Sequence, residues 1–92
     1  MKSITINVYS DAGHGWGQVK RTILEKYDLM DKISGYSYQW RGNVYLEEDL
    51  DLPRLVDVLR AEKVDVSFRE FISHRPSKIR NYQVFDNLTK GN

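Results

Sequence analysis

Apolar and polar residues alternate through Ile4, Ile6 and Val8, the period-two pattern of a strand with one buried face. The period then lengthens: Val19, Ile23, Leu24 and Tyr27 are spaced as the apolar stripe of a helix beginning near Gln18, with Lys20, Arg21 and Lys26 on its wet side. Tyr36, Tyr38 and Trp40 alternate again, and so do Val44 and Leu46. Between these two runs Arg41-Gly42-Asn43 predicts a hairpin turn, because Gly and Asn accept the positive φ angles of tight primed turns. Leu55, Val56 and Leu59 form the stripe of a second helix, with Asp51 as the expected N-cap and Pro53 in the first turn. Val64, Val66 and Phe68 return to strand alternation.

The order β-α-β-β-α-β predicts an α+β fold, a ferredoxin-like sandwich with one antiparallel sheet and both helices on one face. Right-handed crossovers would put the first and last strands in the centre and the hairpin strands at the edges. Residues 79–86 are strand-prone beyond Pro76 and are candidates for an extra C-terminal strand. At 92 residues the chain reads as one domain over 1–88 with a loose tail at 89–92, and a deep dry cavity would compete with its single core for space. Binding by an outer surface is therefore favoured over buried catalysis.

There are no cysteines, which excludes a disulfide scaffold, a thiolate metal cluster and a cysteine nucleophile. Neither a secretory signal nor a membrane span is legible, so the expected location is cytoplasmic. The formal net charge is +1, but it is unevenly spread: +2 over residues 1–46, −4 over 47–65 and +3 over 66–92. A basic end on a nearly neutral protein can still hold a polyanion, since exposed charges act over roughly 8–10 Å at physiological salt.

Between the first strand and the first helix lies Asp11-Ala12-Gly13-His14-Gly15-Trp16-Gly17, with a glycine at every second position. Such a loop either turns sharply or lets another group approach the backbone closely. Gln18 stands where the dinucleotide fingerprint needs its third glycine, and Lys20 is misplaced for a phosphate loop. What remains is a simple anion site beside Lys20 and Arg21, or a turn with Trp16 packed on the core. His14 and His74 are the only groups suited to acid–base work near neutral pH, and Glu47-Glu48-Asp49 carries carboxylates that would orient either one. No zinc-protease motif, serine elbow or other second signal accompanies them, so no catalytic residue, metal or cofactor is assigned. The alternating aromatics Tyr36, Tyr38 and Trp40 suit either base stacking or packing of one sheet face. Arg69, His74, Arg75, Lys78 and Arg80, interleaved with Phe71, Ile79 and Tyr82, suit phosphate neutralisation with some stacking.

Three blocks, Asp11-Ala12-Gly13-His14-Gly15-Trp16, Tyr45-Leu46-Glu47-Glu48-Asp49 and His74-Arg75-Pro76-Ser77-Lys78-Ile79-Arg80, resemble those of a group of small phage and mobile-element proteins. In length and layout the chain is also similar to phage anti-CRISPR inhibitors of a type I RNA-guided surveillance complex. That resemblance implies a non-enzymatic inhibitor that lodges on a host protein or ribonucleoprotein complex and obstructs nucleic-acid access. Such inhibitors share no common motif, so the contact residues come from the charge reading: Lys20, Arg21, Arg69, Arg75, Lys78 and Arg80, with His14 and Trp16 giving shape-specific contact. The alternative from another class is a small RNA- or nucleotide-directed hydrolase with His14 and His74 as acid and base.

Overall fold

A computed structural model of the chain describes residues 2–86. Strand β1 (Ser3–Ser10) turns back as β2 (Gly15–Lys20), which runs into the short helix α1 (Arg21–Lys26). A hairpin of β3 (Tyr38–Trp40) and β4 (Asn43–Glu47) follows, then helix α2 (Asp51–Ala61), β5 (Asp65–Ile72), a 3-10 turn at Lys78–Asn81 and the two-residue β6 (Gln83–Val84). The six strands form one sheet in the order β5-β1-β2-β4-β3-β6. Only β1 and β5 are parallel.

The fold is α+β, but the strand order departs from the ferredoxin-like expectation. The glycine segment is not a loop leading to a helix at Gln18. Its second half is a strand between β1 and β4, and β5 lies at the edge beside β1 rather than in the centre. None of Gly13, Gly15 and Gly17 has positive φ; close approach is what excludes a side chain. A Cβ on Gly17 would lie 2.7 Å from Leu52 Cδ1 of α2 and 3.2 Å from Ile6 Cγ2, so glycine here lets the helix sit directly on the sheet. Residues 79–86 contribute mostly a 3-10 turn and only two strand residues. The proposed tail at 89–92 lies outside the described residues.

The β3–β4 hairpin forms where the pattern put it, with Arg41 at φ 51° and Gly42 at φ 80° making the turn. Helix α2 also forms as expected, burying Leu55, Val56 and Leu59. Asp51, however, does not cap it: Leu50 is the N-cap residue, and the buried Asp51 carboxylate accepts from Ser34 N–H and Oγ and from Ser37 Oγ. This holds the 34–37 loop against the start of the helix.

Each face of the sheet is covered over its central strands. Core-facing residues of β1, β2 and β4, among them Ile6, Val8, Val19, Val44 and Leu46, pack with Leu24 of α1 and Leu55 and Leu59 of α2. On the other face Ile79 from the C-terminal segment buries Trp16 and Tyr45, with Tyr9, Tyr38 and Tyr82 at the margin. Residues 73–82 therefore act as a strap across the outer face. Among the described residues no helix is long and apolar enough to cross a membrane.

Candidate functional site

Asp11, the first residue after β1, fastens the strap. Its Oδ2 accepts from Ser77 N–H at 2.8 Å and Arg80 Nε at 2.7 Å, while Oδ1 accepts from Arg80 Nη2 at 2.8 Å and from Gly13 and His14 N–H at 3.0 Å. The Arg80 guanidinium, then the Ser77 amide, hold this carboxyl far below the usual aspartate range despite the opposing effect of burial. Its side chain is only 3% exposed. Arg80 in turn lies over the Trp16 ring, 5.2 Å from the centroid.

The acidic block closes on the same point. Glu48 N–H donates to Gly15 C=O at 3.0 Å, and a Cβ on Gly15 would collide with the Glu48 carboxylate and lie 2.8 Å from Ser10 Oγ. His14 Nδ1 is 3.9 Å from Glu47 Oε2. Burial first, and then the neighbouring Asp49 and Glu47 charges, push the Glu48 carboxyl up, with His14 pulling the other way. The three blocks singled out in the sequence are thus one structural unit at one end of the sheet.

That end carries an open cleft of about 340 Å³ lined by His14, Trp16, Tyr36, Tyr38, Glu47, Asp49, Leu50 and Arg80, with Gly35 at the rim. Tyr36, 72% exposed, is held at the mouth through Ser34, whose Oγ accepts the Tyr36 N–H while donating to Asp51. Trp16 is buried with its edge toward Tyr38, and its indole N–H has no acceptor among the described residues. The outer face beyond is aromatic: Trp40 stacks on Tyr82 at 5.0 Å, and Phe71 on Tyr9 at 5.1 Å. Burial among these rings raises the Tyr45 phenol to about 12.

The eight residues named from the sequence fall into three places. His14, Trp16, Arg75 and Arg80 line the clefts at this end, and Lys78, farther along the same strap, lines hollows of the outer face with Tyr9. Lys20 and Arg21 lie at the far end of β2, since Lys20 pairs with Asn43 whereas Trp16 pairs with Glu47. Arg69 is on the edge strand β5. Three of the eight are not available as free contacts. Arg21 is buried, donating to Gln39 Oε1 and Asp86 C=O, with its guanidinium over the Phe85 ring. Arg80 is neutralised by Asp11, and Trp16 is 2% exposed. Arg75 and Lys78 are exposed and form no ion pair among the described residues.

His14 and His74 do not share a cleft: His74 lines a second one with Asp11, Arg75 and Pro76, and Arg80 borders both. Among the described residues no group of three His, Cys, Asp or Glu is arranged to hold a metal ion. Sequence reading missed Asp11, Ser34, Tyr36 and Asp51 as organisers of the site. The signal for Asp11 was its position at the head of the glycine block, where Asp commonly accepts from following backbone amides.

Comparison with protein-family models, with curated proteins and with solved structures finds no match.

Proposed function

We propose that the protein is a non-catalytic binding protein that occupies a nucleic-acid-bearing surface of a host assembly, the steric inhibition implied by its resemblance to small phage inhibitors. The observation that carries this reading is the strap. Asp11 bonds Ser77 N–H and Arg80 and so presents the exposed Arg75 and Lys78 on a segment already ordered before any partner arrives. Phosphates would meet these two cations, while the neighbouring cleft, anionic through Glu47 and Asp49 and aromatic through Tyr36 and Tyr38, suits a cationic side chain of a protein. A surface of mixed sign fits a ribonucleoprotein better than naked nucleic acid.

Capture of partners from host lysate before and after RNase treatment, with the double variant Arg75→Ala/Lys78→Ala, tests it. The variant should fold normally, bind more weakly and flatten the dependence of binding on salt by roughly 0.7–0.9 in log–log slope per lost phosphate contact. Unchanged affinity and slope would reject the cationic strap.

A second reading is favoured by the 3.9 Å approach of His14 to Glu47 in the open cleft, which sets an imidazole beside a carboxylate, the group types that acid–base chemistry on RNA or a nucleotide uses. His14→Ala separates the two: a hydrolase loses turnover while still binding, whereas a steric blocker changes only in affinity.

A further inference from the structure

The two edges of the sheet are unequal. β6 is two residues long, and the chain beyond it is tied down, with Phe85 N–H donating to Ser37 C=O at 2.9 Å and Asp86 C=O accepting from Arg21 at 2.8 Å. β5 is eight residues long and pairs with β1 alone. Asp65 N–H donates to Lys2 C=O and Ser73 N–H to Ser10 C=O, so the odd-numbered residues of this run direct their backbone groups at β1. Val66, Phe68, Glu70 and Ile72 then point N–H and C=O away from the sheet. No Pro or Lys interrupts Asp65–Ile72, although these are among the devices that keep an edge from pairing; its charges are Asp65, Arg69 and Glu70. Phe68, Phe71 and Ile72 are 44%, 43% and 75% exposed along it.

We infer that β5 is the docking edge for a second copy of this chain, which adds its own β5 antiparallel about a two-fold axis at Phe68. An axis perpendicular to the sheet keeps each face on its own side, so even-numbered residues must meet even-numbered ones and few registers remain. With the axis at Arg69 or Glu70, a like charge would face its own copy across the interface. With the axis at Ser67 only five residues of each strand overlap, against seven at Phe68. The Phe68 register stacks that ring on its copy, places Glu70 opposite Val66, and sets Arg69 opposite Ser67 with Asp65 and Arg69 of the other copy at its two diagonals, the aspartate within reach of its long side chain. About six main-chain hydrogen bonds would form from groups that now face water. The cleft is lined from β2, β3 and β4 and stays open in such a dimer, whereas the strap begins at the very end of β5 beside the joint, so the dimer would present the cleft twice.

Sedimentation equilibrium of the full chain tests this. The wild type should show a concentration-dependent monomer–dimer equilibrium, and Arg69→Asp or Asp65→Arg alone should weaken it about fivefold. The combined charge swap D65R/R69D should recover the wild-type constant, which general damage to the strand would not do. In the wild type, amide exchange at Val66, Phe68 and Glu70 should slow as concentration rises. A chain that stays monomeric at millimolar concentration, a dimer indifferent to Arg69→Asp, or a charge swap that fails to recover pairing would overturn the inference.

Discussion

On the helix-covered face of the sheet Ile6, Val19, Leu24, Val44, Leu46 and Leu55 are each at most 4% exposed, and they meet through apolar contact. The strapped face rests on a far smaller buried cluster of Trp16, Tyr45 and Ile79, and its covering segment is pinned by a charged knot at Asp11. Apolar burial is non-directional and indifferent to pH, whereas the knot depends on one carboxylate staying ionised and on donors staying in place. The difference separates what keeps the protein folded from what keeps its binding surface ordered.

Leu55→Ala should show the largest effect, because Leu55 is fully buried on the sheet-facing side of α2: a loss of about 2–5 kcal/mol in denaturant unfolding, with both faces melting together. A transition in which the helix-covered face survived would contradict its role as the common core. Asp11→Asn comes next and should act locally. Far-ultraviolet circular dichroism should keep its shape while amide exchange at Ile79 and Tyr82 accelerates, because the strap can lift without unfolding the sheet.

The same knot sets an acid limit. A carboxyl held below its ordinary range contributes fully above the unfolded-state value of about 4 and loses that contribution as the pH falls below it. Strap exchange in the wild type should therefore speed up below about pH 4, and that acid dependence should vanish in Asp11→Asn.

Glu48→Gln should be the smallest effect and opposite in sign. Burial and the Asp49 and Glu47 charges raise its carboxyl, so the folded state holds the proton more tightly and its ionised form opposes folding as the pH climbs. Removing the charge should raise stability by up to about 0.5 kcal/mol at pH 7, with no gain near pH 3, measured by thermal melts at the two values.

The elements that could be read from periodicity were those with side chains on every buried position. Ile4, Ile6 and Val8 announced β1, Leu55 to Leu59 announced α2, and Gly42 marked the hairpin turn. β2 was illegible because two of its inward positions are Gly15 and Gly17, whose lack of a side chain removes the alternation signal and is the very feature that admits Glu48 and Leu52. Lys20 and Arg21 looked like neighbours on a wet helix face. In the fold Lys20 is exposed and Arg21 turns inward to bind Gln39 and Asp86, because a buried cation needs partners and these arrive from remote parts of the chain.

Local pattern was enough to establish an α+β chain with a hairpin, two helices and a basic C-terminal segment, since strand and helix periodicity and turn chemistry depend on residues a few positions apart. Whether a cation on that segment is free or spent was decided elsewhere. Arg80 meets Asp11 across 69 positions, and Arg75 and Lys78 do not meet an acid among the described residues. That distinction rests on the folded path of the strap over the sheet, because ion pairing depends on distance in space and no short stretch of sequence encodes it.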